Sequence, residues 1–198
     1  MKEENRKIET RWTGIAALII GLALWRAFFV DGSTNLLGNF TPIGAIALFA
    51  GAKLSNRKIR YLFPMAVLLI SDLLMFSETS GGFLYSGWMW TYLAFIITVF
   101  FGERISEMIK FTTIFSASVA SALTHWILAD FGVWFGGGIN ILSGMPFEKT
   151  MQGLILCYSL GFPFFLKLAA STILYSFIIF GLHKFISRAL EKRELALR

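Results

Sequence analysis

Residues 39–60 read NFTPIGAIALFAGAKLSNRKIR: an apolar run ending at Ala52, then Lys53, Arg57, Lys58 and Arg60 in close succession. The run is short for a membrane span, because hydrocarbon about 30 Å thick calls for roughly 20 helical residues. It also carries Pro42, so length alone leaves a re-entrant segment open. The four positive charges decide between the two readings. Lysine and arginine stay on the cytoplasmic side of short loops, and they would lie outside if 39–52 failed to cross. The segment is therefore expected to cross.

Working outward, the same reasoning gives six spans, at about 12–30, 39–52, 61–76, 88–102, 111–130 and 164–186. With both termini in the cytoplasm, all but three of the 18 Lys and Arg residues fall on the inner side; the exceptions are Arg26, Lys149 and Lys167. The segment 150–162 should not span, since a seventh crossing would put the basic tail outside and Pro163 leaves no loop before the next helix. It is read with 131–149 as an outer lid, 131–163, whose Gly136, Gly137, Gly138 and Gly144 leave the backbone free to bend. Tyr85, Trp88, Trp90, Tyr92 and Trp134 gather at the outer ends of the fourth and fifth spans, as interfacial anchors do. The expected fold is an all-α, polytopic bundle of six transmembrane helices, N-in and C-in. Residues 1–11 form a cytoplasmic lead, 12–187 the membrane domain and 188–198 a cytoplasmic tail.

Composition agrees. Of 198 residues, 56% are hydrophobic and 15% charged, and mean hydropathy is +0.68, whereas soluble domains carry about 25% charged residues. Such a chain is no cytoplasmic enzyme, nucleic-acid module or disordered segment. The net charge of +6 reads as topology and contact with anionic lipid. One cysteine allows no internal disulfide.

Ionisable side chains inside spans cost roughly 2.5–3.5 kcal/mol each on insertion scales, so each needs a partner or a role. Arg26, Asp72, His125 and Lys167 come from four different spans and share a depth in the outer third, with Asp130 at the rim. That layer predicts a cavity opening outward, lined by these residues with Asn39 and Thr41. Its apolar wall would draw on Trp25, Phe29, Phe40, Trp88, Trp126 and Trp134. The plainer reading pairs Arg26 with Asp72 to hold the bundle together and lets Lys167 and Asp130 reach the headgroups.

Small residues mark close helix approach: Ala17 with Gly21, Ala23 with Ala27, and the series Gly44, Ala45, Ala47, Ala50, Gly51, Ala52. Cys157 reads as a small buried hydrophobe. Walker, His-Glu-x-x-His and Gly-x-Ser-x-Gly signatures are absent, so neither an enzyme nor a metal or cofactor is expected. A Ser121–His125 pair on one helix has poor attack geometry.

The run 39–52, Ser71-Asp72-Leu73-Leu74, Asp130-Phe131-Gly132-Val133-Trp134, and 150–158 followed by Pro163-Phe164-Phe165 together resemble an uncharacterised family of bacterial inner-membrane proteins. That family is in turn similar to the S components of energy-coupling-factor (ECF) vitamin transporters. The resemblance covers about residues 12–185. It implies six helices, an outward pocket and uptake of a small water-soluble micronutrient, a vitamin or precursor, with a transmembrane coupling protein and its ATPases as partner. S components dock that partner through Ala-x-x-x-Ala on the first helix. Here Ala23 and Ala27 lie near the outer end beside Arg26, and Ala17 with Gly21 only approximates the motif. Arg26 and Lys167 would meet an anionic group, Asp72 would orient Arg26 or bind an amine, and His125 and Asn39 would give hydrogen bonds. The rival expectations are an accessory subunit without a ligand, and an intramembrane enzyme using His125 with Asp130 or Cys157.

Overall fold

Pro42 stands where the chain turns helical in the computed structural model, which describes residues 40–74 and 87–196 together with Gly21 and Leu24. Its fixed φ suits a helix start, and its carbonyl accepts from Ile46 N at 2.9 Å. The helix so begun, α1 (Ile43–Lys53), is followed by α2 (Arg57–Leu74), α3 (Trp88–Ile105), α4 (Phe111–Phe135) and α5 (Met151–Ala196). Side-chain caps start two of them. Asn56 Oδ1 accepts from Lys58 N at 2.9 Å before α2, and Thr150 Oγ1 accepts from Gly153 N at 3.1 Å before α5, each satisfying an N–H that the helix leaves unpaired. Among the described residues there is no strand, only an isolated bridge between Ile139 and Pro146. The all-helical class is the one expected.

α1 is the hub, packed against the other four helices and buried almost throughout from Ile43 to Gly51. The lower half of α1 meets α3 where Gly51 faces Gly102. A Cβ on either glycine would run into a carbonyl oxygen of the partner helix, Val99 or Leu48, so the two backbones touch because both side chains are missing. Gly44 likewise makes room for Thr172 of α5. The small residues of the second expected span are therefore contacts within the chain.

Neighbours alternate in direction. Asp72 meets Tyr92 and Arg60 meets Glu103, so α2 opposes α3; Phe95 meets His125 and Trp90 meets Phe131, so α3 opposes α4. Lys53, Arg57, Arg60, Arg104 and Lys110 are thereby gathered at one end. The interior is rich in hydroxyls: Ser71, Thr98, Ser118, Ser121, Ser171 and Thr172 are buried. Ser71, Thr98, Ser121 and Ser171 donate to carbonyls one turn earlier at 2.7–3.0 Å. Ser118 donates to Ser176 across α4 and α5 at 3.2 Å. Beside them lies an apolar core of Ile43, Ala47, Val67, Leu68, Phe95 and Val99, while Leu62, Leu69, Met89, Ile96, Phe111, Leu123, Leu166 and Leu174 are exposed, more large apolar surface than a water-soluble domain leaves open.

The six-span expectation holds only in a coarser form. Among the described residues two stretches are long and apolar enough to cross a membrane, Phe111–Phe135 and Met151–Arg188. α1 has 11 residues, about 16 Å at the helical rise, and α2 and α3 each give up a turn to Arg57, Lys58 and Arg60 or to Glu103 and Arg104. The first expected span lies outside the described residues but for Gly21 and Leu24, both helical. Two boundaries also move. α4 continues past residue 130 to Phe135, and α5 begins at Met151 instead of 164, so the expected 131–163 lid shrinks to the loop 136–150. Pro163 does not end the helix: an interior proline loses one i→i−4 bond and crowds the turn before it, about 3 kcal/mol, but the flanking turns are held to α4 from Cys157 to Ser176.

Candidate functional site

Two polar clusters occupy the end of the bundle opposite the basic loops. The first lies between α2, α3 and α4. Asp72, buried on the last turn of α2, accepts a 3.0 Å hydrogen bond from the Tyr92 hydroxyl. Trp88 opens α3 and stands edge-on to Tyr92, centroids 5.6 Å apart. His125 of α4 stands edge-on to Phe95, one turn below Tyr92, at 5.2 Å. Asp72, Trp88 and His125 thus converge on one face of α3.

The second cluster lies between α4 and α5. Trp126 stacks on Phe165 at 5.1 Å and meets Tyr158 and Phe162 edge-on at 5.6 Å each. One turn on, Asp130 sits against Gly161, where a Cβ would overlap the carboxylate. Trp126 Nε1 and Asp130 Oδ2 are both buried one turn apart on α4; the indole N–H approaches the carboxylate without closing a well-formed hydrogen bond, and neither atom has another partner. Such atoms are few in native proteins and each asks for an explanation. Cys157 Sγ donates to the Asp130 carbonyl at 3.4 Å and the Tyr158 hydroxyl to the Ile127 carbonyl at 2.9 Å. Cys157 is free and buried.

The expected layer is thus divided. His125 and Asp130 share α4 but face different helices, α3 and α5, and Lys167 is half-exposed with its ammonium 5.9 Å from the Phe164 ring centroid. Thr41 is buried just before α1. Arg26 and Asn39 fall outside the described residues, as do Trp25 and Phe29. Phe40 packs on Tyr175 of α5 at 5.8 Å, away from both clusters. Trp134, on the last turn of α4, holds the loop: its Nε1 donates to the Glu148 carbonyl at 2.8 Å, while Lys149 Nζ donates to the Trp134 and Phe135 carbonyls and closes the end of α4.

Three contributors went unread in the sequence. Tyr92 was legible only as an interfacial aromatic, although its place near the outer end of the span after Asp72 was a usable signal. Gly161, two residues before Pro163, was not singled out. The third is a clamp at the basic end: Arg60 donates to Glu103 Oε1 at 2.8 Å and to the Leu54 carbonyl at 2.6 and 2.8 Å. It joins the end of α1, the start of α2 and the end of α3. Burial pushes the Glu103 carboxyl up, but hydrogen bonds from Arg60 and Tyr61 outweigh it and hold the group below the ordinary carboxylate range. Among the described residues, no group of three or more His, Cys, Asp or Glu is placed to hold a metal ion.

A model for a protein family of unknown function, DUF6580, matches residues 6–194, and the chain belongs to that family. No curated protein and no solved structure matches it. Nothing in these comparisons links the family to ECF S components.

Proposed function

We propose that this DUF6580 member is a multi-pass protein of the bacterial inner membrane, termini inside, whose outer third holds a small water-soluble micronutrient as the capture step of uptake. The multi-pass reading is supported by the many large apolar side chains left exposed, by the hydroxyls placed between helices, and by the basic residues collected at one end of alternating helices. The ligand reading is carried by one observation: the buried Asp72 carboxylate, held by Tyr92 at the end away from those charges.

An intramembrane carboxylate is expensive and by default functional. Asp72 would take an amine of the ligand or orient Arg26, His125 and Asn39 would add hydrogen bonds, and Arg26 with Lys167 would meet an anionic group. The loop 136–150 would gate access. Directional movement needs an energy source, which a coupling protein with ATPases of the ECF type would provide. Likeness to S components is part of the proposal.

The test is Asp72→Asn, which keeps an acceptor for Tyr92 but removes the charge. Mass spectrometry of metabolites released from purified wild type identifies the ligand, and the variant is expected to fold and to lose binding at least tenfold. A variant that binds as wild type does sinks the site. The accessory-subunit reading is favoured by the Tyr92 bond itself, since a satisfied carboxylate also locks α2 to α3. It predicts that no metabolite is released and that Asp72→Ala lowers the melting temperature.

A further inference from the structure

At the basic end, the last turn of α3 and the first three turns of α4 do not close on each other. They leave an open groove of about 340 Å³. Phe101 and Ile105 form one wall, and the small side chains of Ala117 and Ala120 form the floor. From the start of α4 to Ala120 the groove climbs about 14 Å at the helical rise, within reach of an extended acyl chain. The walls are carbon almost throughout, so nothing there would hold a water-soluble molecule by hydrogen bonds.

The mouth is different. Arg104 lines it and is exposed, its guanidinium 4.6 Å from the Phe100 ring centroid, and Thr112 and Ser116 lie opposite. The neighbouring carboxylate, Glu103, is committed to Arg60. Lys110, just before α4, is exposed, and exposed Lys53, Arg57 and Lys58 share this end of the bundle, against Glu107. The first N–H groups of α4 open at the same place and add a weaker pull on negative charge.

We propose that this groove is a binding site for an anionic phospholipid of the cytoplasmic leaflet, its acyl chain between Phe101 and Ala120 and its phosphate on Arg104. The inference rests on the multi-pass reading above. Charge complementarity selects the anionic headgroup, and the carbon walls select a lipid over a free phosphate ester. Basic crevices between membrane helices on the cytoplasmic side are suited to such headgroups.

The experiment uses the full chain, delipidated and returned to nanodiscs containing equal phosphatidylglycerol and phosphatidylcholine, with retained lipid counted by native mass spectrometry. Wild type should retain phosphatidylglycerol preferentially. Arg104→Gln should reduce that preference about fivefold, one basic side chain's share of the attraction to anionic lipid. Ser116→Trp, at the exposed rim, should block retention of both lipids without touching the core. Glycerol phosphate should not compete. Equal retention of the two lipids by wild type, unchanged preference in Arg104→Gln or unchanged retention in Ser116→Trp would each overturn the site, and competition by glycerol phosphate would reassign it to a soluble ester. An alkaline carbonate wash separates the two levels of the argument: a chain released from membranes refutes the multi-pass reading itself, whereas a chain that stays but shows no lipid preference refutes only the groove.

Discussion

The α1–α3 crossing and the upper α4–α5 seam solve the same problem, the close packing of two apolar helices, by opposite means. At the crossing, side chains are absent: Gly51 and Gly102 let backbone rest on backbone, and what a substituent would strike is a carbonyl oxygen. At the seam, bulk fills the gap, with Trp126 among Tyr158, Phe162 and Phe165, and the one glycine, Gly161, makes room for the side chain of Asp130. A carbonyl in a helix cannot move away, whereas a carboxylate can. The crossing is therefore a rigid joint, and the seam is where a carboxylate is kept buried with only the Trp126 N–H to meet it.

The largest expected effect tests the rigid joint. Gly51→Ala should destabilise the protein by about 3 kcal/mol, at the upper end of overpacking costs, and shortening Val99 should not restore it because the obstruction is main chain. Thermal unfolding in detergent reads both. A loss below about 1 kcal/mol would mean that α1 and α3 slide apart easily and would erase the contrast with the seam.

At the seam the expected loss is smaller and reversible. Gly161→Ala should cost about 1–2 kcal/mol by pushing against the Asp130 carboxylate, and adding Asp130→Ala should restore most of it, a coupling that a double-mutant cycle measures directly. Asp130→Ala alone should cost less than about 1 kcal/mol, since it removes a buried carboxylate whose one polar neighbour, the Trp126 N–H, meets it in poor geometry. Strong destabilisation by Asp130→Ala would show that the carboxylate is satisfied and would remove the seam from the search for function.

The two regions also differ in how far they could be read from the letters. The α1 side of the crossing was visible, because the small-residue series that ends at Gly51 announces a helix that lets another backbone approach, and helix-helix contact depends on residue size, which composition records. The seam was half visible. Trp126 and Asp130, four apart, mark one face of a helix, but their partners are set by where α5 begins, and there Pro163 misled: its cost to a helix, a lost hydrogen bond and a steric clash of about 3 kcal/mol together, is offset by the packing of Cys157, Tyr158 and Gly161 against α4. Depth along the bundle was legible from charge, so Asp72 and His125 do come to neighbouring levels on α3. The helix face on which each charge stands was not, because facing depends on which helices are adjacent, and one layer became two clusters. Span length was overestimated for α1, whose 11 residues are fixed by Pro42 at one end and at the other by Leu54, extended and bound through its carbonyl to Arg60.

The smallest expected effect concerns how the rigid joint is closed at its lower end. Glu103 lies one residue beyond Gly102, and its bond to Arg60 holds the ends of α1, α2 and α3 together just below the glycine pair. Because the folded state holds the Glu103 carboxyl below its ordinary range, protons bind it more weakly folded than unfolded. The contribution is then complete above the unfolded carboxylate value and disappears as pH falls through the lower folded one. Wild type should consequently exceed Glu103→Gln in stability at neutral pH by a fraction of a kcal/mol, as partly exposed ion pairs do, and the two melting curves should converge on acidification below the ordinary carboxylate range. Gly51→Ala should show no such convergence with wild type, since its obstruction carries no charge. If the gap between wild type and Glu103→Gln instead stayed constant with pH, the clamp would act by shape alone, and the joint would owe its rigidity entirely to the two missing side chains.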